Sequence, residues 1–183
     1  YISINCYDRS TPYGYSIYEI TIIPKTAEDS LYEDNGMTHL PLVYIDTKGK
    51  YLSGSNKNTE NCYITIVYND GELLPVDNQI NEDYIYYEGN VRMHVRGQTS
   101  AGFPKKPYSV TLYKDDTFTD KDSKNLFGMG KENDWILYAS YNDKSLIRNK
   151  LSMDWYKEMG HWCSDFQYCE VYLNGEYIGI YAL

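Results

Sequence analysis

The chain has 183 residues, with a formal net charge of −9 and 22 tyrosines. That length allows one domain with its own core, or one domain with an arm. The acidic balance argues against nucleic acid and anionic membranes as partners, and no apolar run is long enough for a transmembrane helix.

The first segment, residues 1–38, reads as an N-terminal arm or the edge of a neighbouring domain. Tyr15 to Ile23 (YSIYEITII) alternates like a strand until Pro24 stops it, and a polar linker follows. Leu40 to Asp46 (LPLVYID) is a short apolar strand. The run NCYITIVYNDGELLPV predicts a hairpin across Asn69-Asp70-Gly71, because Asp-Gly supplies the positive φ of a tight turn. An extended segment then places Val91, Met93 and Val95 on one face and Arg92, His94 and Arg96 on the other.

The next stretch, RGQTSAGFPKKPYSV from Arg96 to Val110, is basic against an acidic background. Gly97 and Gly102 allow backbone N–H groups to turn toward a ligand, and Gln98, Thr99 and Ser100 add donors. Lys105 and Lys106 bring positive charge to the start of a strand whose Tyr108, Val110 and Leu112 share a face. By that parity Lys106 points inward, toward the core or a cleft, and Lys105 toward solvent. Such a loop suits an anion, although solvated lysines on an ordinary hairpin loop have the same composition.

Beyond a charged loop, a strand is expected from Trp135 to Ala139, then a helix capped by Asn142 or Asp143 and running to about Met159. Ile147, Leu151, Trp155 and Met159 repeat every four residues as one stripe, and Gly160 is a stop signal. The segment from Phe166 to Leu183 is a hairpin around Asn174-Gly175, cut at Leu183 in mid-pattern as if the chain continued. The implied fold class is α+β, a mostly antiparallel sheet with the stripe of one main helix packed on its face.

Cys6, Cys62, Cys163 and Cys169 do not have zinc spacing; they read as small buried residues, with a Cys163–Cys169 bridge open if the intervening turn folds back. His39, His94 and His161 are scattered, and no nucleophile elbow is present.

RGQTSAGFPKKPYSV, LFGMGKENDWILYASYNDKSLIRNKL and EVYLNGEYIGIYAL, in that order, resemble the spore-coat protein H (CotH) kinase family. The resemblance covers about Leu40 to Leu183, so residues 39–183 are expected to be the N-terminal portion of a CotH-kinase-like domain. It implies a fold like the N-lobe of a divergent protein kinase. It also implies a site that binds ATP phosphates through Arg96, Gly97, Thr99, Ser100, Gly102, Lys105 and Lys106. Arg148 and Glu170 are candidates for a supporting ion pair, and Glu170 is a possible carboxylate partner for Lys106. Phosphoryl transfer also needs metal-binding carboxylates and a group that positions the acceptor hydroxyl. No HRDxxxxN-like or DFG-like segment is found, so bound ATP and Mg, and the catalytic aspartates, are expected only with the complete domain.

The implied setting is secreted, cell-surface or spore-coat. The acceptor would be a Ser or Thr hydroxyl on a coat or extracellular protein, and a polysaccharide-associated assembly is a further possible context. The rival reading is a non-catalytic binding or adhesion module for a glycan or protein, motivated by the tyrosine content. A coat component without a ligand is a third.

Overall fold

The computed structural model describes residues 2–6, 18–22, 36–54 and 59–183. The chain divides into two compact units, Tyr1–Gly36 and Met37–Leu183. In the first, β1 (Ile2–Cys6) pairs antiparallel with β2 (Tyr18–Ile22), Ile2 opposite Ile22 and Cys6 opposite Tyr18. The strand expected from Tyr15 to Ile23 is represented by β2; the linker expected after Pro24 lies outside the described residues.

In the second unit, alternation of apolar and polar residues builds one large sheet. Its strands are β4 (Leu42–Asp46), β5 (Glu60–Val67), β7 (Ile85–Val95), β8 (Tyr108–Tyr113), β11 (Asp134–Leu137), β12 (Tyr168–Leu173) and β13 (Glu176–Ala182). Two short ribbons accompany it: β3 (Met37–Thr38) with β6 (Leu74–Pro75), and β9 (Lys124–Asn125) with β10 (Lys131–Glu132). The order across the seven-stranded sheet is β11-β8-β7-β5-β4-β12-β13. Every neighbouring pair is antiparallel except β4 with β12, which run parallel.

The sheet curls until its two edges touch. Tyr138, just past β11, donates its N–H to Ala182 O at 2.7 Å, and the Ala182 N–H returns to Tyr138 O at 3.0 Å. Side chains of one parity fill the inside: Val43 and Ile45, Ile64 and Ile66, Val91 and Met93, Val110 and Leu112, Leu137, Val171 and Tyr181. Burying each large apolar side chain contributes about 1.5–3 kcal/mol. Leu42, Tyr44, Val67 and Tyr172, of the other parity, form a second buried cluster with Leu74 on the outer face.

The α+β expectation and its kinase N-lobe resemblance do not hold. The chain is mostly β, and its sheet closes on itself. The one α-helix among the described residues, α1 (Arg148–Glu158), buries none of its residues. The stripe read from the sequence explains the error. A strict repeat of four advances about 40° per step around a helix of about 3.6 residues per turn, so the stripe winds away from any one partner. Trp155 is 41% exposed and Met159 66% exposed. Gly160 ends the helix as expected, at φ +84° with its N–H on Lys157 O at 2.8 Å.

The two predicted turns fared differently. Asn174 and Gly175, at φ +51° and +82°, join β12 to β13 as a tight hairpin. Asp70 and Gly71 also make their turn, with Glu72 N–H on Asn69 O at 2.7 Å. Yet β5 does not pair with the strand that follows it: its neighbours are β4 and β7, and β6 pairs with β3.

Candidate functional site

The loop between β7 and β8 opens where Arg96 donates its N–H to Pro107 O at 3.0 Å. Just before it, Val95 N–H bonds Ser53 O at 2.8 Å and fixes the loop against residues 51–54. A 3-10 turn, Ser100–Gly102, forms its tip, with Gly102 N–H on Thr99 O and Phe103 N–H on Ser100 O. Gly97 takes φ +89°, and a Cβ there would lie 2.1 Å from Ser100 Oγ. Gly102 carries no such constraint, since a Cβ there would meet nothing within 4 Å. The backbone N–H groups of Gly97, Gln98, Thr99, Ser100 and Ala101 find no acceptor among the described residues. Phe103 stacks on Tyr141 with ring centres 5.2 Å apart, tying the loop to the segment after β11.

The lysines are placed against the parity argument. Lys105, not Lys106, turns to the core: its Nζ donates to Ile180 O and lies 4.5 Å from the centre of the buried Tyr181 ring. Burial pulls its pKa below the ordinary lysine value. Lys106 Nζ stays with the loop and donates to Ala101 O at 2.8 Å. Parity failed because β8 begins only at Tyr108, after Pro107, and alternation does not extend through an irregular approach.

Arg96 has the outward parity of His94, whose pKa is lowered by burial and by the Arg96 charge. It lines an open cleft of about 620 Å³ on the outer side of β11. Ile136 and Tyr138 of the β11 segment, Asn149 and Met153 of α1, and Trp162 share that lining. Trp162 is 87% exposed. The cleft was not read from the sequence: Trp162 lies in none of the quoted motifs, Tyr138 lies in the second of them without a role suggested, and only the fold brings them beside Arg96 and Asn149.

The supporting pair is not formed. Arg148 Nε lies 3.5 Å from Asp143 Oδ1, and Arg148 N–H donates to Asp143 Oδ2 at 2.8 Å. Asp143 also accepts from Ser145 N–H and Oγ–H, which makes it the organiser of the turn that starts α1. Burial, together with the nearby Glu170 carboxylate, pushes the Tyr177 pKa up to about 12. Cys62, Cys163 and Cys169 are free thiols; burial raises Cys62 and Cys169 to about 12. No group of three or more His, Cys, Asp or Glu side chains among the described residues is arranged to hold a metal ion.

Residues 93–183 match the family model described as CotH kinase protein, a span that contains the whole loop, α1 and the final hairpin. Over those residues the chain is similar to the CotH kinase protein family. Among curated proteins, Inner spore coat protein H of Bacillus subtilis (strain 168) is 28% identical over 112 residues. That alignment covers 61% of this chain and 27% of the relative, so the chain represents about a quarter of the CotH protein it matches.

Proposed function

We propose that this chain is the phosphate-binding part of a coat-associated CotH-type kinase, which transfers ATP phosphate to Ser or Thr hydroxyls of a coat or extracellular protein. The observation that carries this reading is the Arg96–Lys106 loop. It lies inside the matched family segment and presents a run of unbonded N–H groups with the Lys106 ammonium at Ala101 O beside them. Such a nest suits the oxygens of a phosphate, with Lys106 and Arg96 neutralising their charge. Thr99 and Ser100 add hydroxyl donors. The missing kinase N-lobe does not weaken the reading, because phosphoryl transfer depends on positioned charge rather than on one fold.

The loop residues fit an anion. Among the described residues no three or more His, Cys, Asp or Glu side chains come together around a site for magnesium. Its proposed role belongs to the complete domain. Coat association rests on the spore-coat relative.

The test is calorimetric titration of MgATP into the chain and into Lys106→Met and Arg96→Met variants. Binding to the parent that is lost or weakened at least tenfold in both variants is the expected result. Failure of the parent to bind, or binding that neither variant changes, refutes the reading. The 87% exposed Trp162 in the cleft favours one alternative, a non-catalytic module for a glycan or coat protein. That reading gains if ATP is ignored while a glycan array gives a signal that Trp162→Ala removes.

A further inference from the structure

Two adjacent lysines enter the loop's end, and the geometry separates their tasks. We propose that Lys105 is a positioning residue: its ammonium fastens the phosphate loop to the free edge of β13, leaving Lys106 and Arg96 to meet the anion. The division of labour rests on the phosphate-binding reading above; the fastening does not.

The seat of Lys105 is built from three consecutive residues of β13. Ala182 turns its N–H and C=O to Tyr138, so Ile180, two residues earlier, turns its own toward the same edge, away from β12. The chain past Tyr138 does not continue the pairing: Tyr141 N–H folds back onto Ala139 O. Ile180 O is therefore an edge carbonyl that the neighbouring strand leaves unpaired, and Lys105 Nζ occupies it. Gly179 makes room, since a Cβ there would lie 3.2 Å from Nζ and 3.7 Å from Cε. Tyr181 supplies a ring face 4.5 Å from the ammonium, which favours a partly desolvated cation. A carbonyl, a gap and a ring face thus converge on one ammonium, on the side of the sheet opposite Arg96. Lys106, bonded to Ala101 O within the loop, has no comparable tie to the sheet.

The experiment uses the 183-residue chain and two readouts. Amide hydrogen exchange is compared for Lys105→Met, Gly179→Ala and Lys106→Met. Loss of a charge-assisted hydrogen bond predicts roughly tenfold faster exchange at the hydrogen-bonded amides of the loop, those of Arg96, Gly102 and Phe103, for the first two variants. Lys106→Met, which loses only the bond to Ala101 O within the loop, raises that exchange less than Lys105→Met does. Gly179→Ala keeps the lysine and crowds its seat, but at φ +97° it also strains the backbone, so it is read against Gly179→Ala/Lys105→Met: the double variant exchanging no faster than Gly179→Ala supports the fastening, and additive effects count against it. Separately, pyrophosphate is titrated into protein with isotope-labelled lysine side chains. The Lys106 ammonium resonance is expected to move and that of Lys105 to stay. Unchanged exchange in Lys105→Met and Gly179→Ala overturns the fastening role. A Lys105 resonance that follows pyrophosphate makes it a ligand and also overturns the proposal. If neither lysine responds to pyrophosphate, the phosphate-binding reading fails, and the exchange comparison still decides whether Lys105 fastens the loop.

Discussion

Replacing Gly97 with alanine tests the loop geometry at its tightest point. Gly97 sits at φ +89°, where an L side chain costs about 1–2 kcal/mol. The new Cβ would fall 2.1 Å from Ser100 Oγ but 3.5 Å from Ser100 Cβ, so only the hydroxyl must move. Turning Ser100 away from its present rotamer adds about 0.5–1.5 kcal/mol. The sum is a loss of about 1.5–3.5 kcal/mol. The two costs are separable, because Ser100→Ala removes the clash and leaves the backbone strain. Urea unfolding of the parent, both single variants and the double variant gives the cycle. The expected coupling is about 1 kcal/mol in favour of the double variant. A Gly97→Ala loss below about 0.5 kcal/mol, or no recovery by Ser100→Ala, refutes the loop geometry.

Two other expectations are independent of any ligand. Leu137 is fully buried and Ile136 is 40% exposed, so Leu137→Ala should cost about 3 kcal/mol and Ile136→Ala under about 1 by urea unfolding; reversed magnitudes would place β11 in the wrong register. Asp143 has a pKa held below 3.8, chiefly by the hydrogen bond from Ser145 and also by the N–H of Arg148. A depressed carboxyl stabilises the fold above its unfolded value and loses that contribution as pH falls through the folded one. The amide signals of Ser145 and Arg148 should therefore titrate with a midpoint below 3.8. A midpoint at or above that value argues against the turn.

Strands were readable wherever one face meets the core, because burial imposes a period of two. Val91, Met93 and Val95 point inward with Arg92, His94 and Arg96 outward, as their alternation predicts. The Asn174-Gly175 hairpin was readable because local backbone chemistry sets it. Asp70-Gly71 has the same chemistry, but the pairing of β5 is decided by residues far away in sequence. The parallel contact of β4 with β12 leaves no local signal at all. In the site, the composition of the 96–106 loop was legible, and the roles of its lysines were not. Which lysine turns inward depends on Pro107, Gly179 and the edge of β13 rather than on the pattern of β8.

The same parallel contact has a consequence for how the molecule is made. Thr47, next to the end of β4, hydrogen-bonds the side chain of Asn174, a separation of 127 residues. At a synthesis rate of about 5–20 residues per second, β4 waits about 6–25 s for the strand that will cover its second edge. During that interval Leu42–Asp46, buried at every position but the last, presents an unsatisfied apolar edge. Slow folding of a high-contact-order sheet, and a need for protection until the final hairpin has formed, are built into the strand order itself.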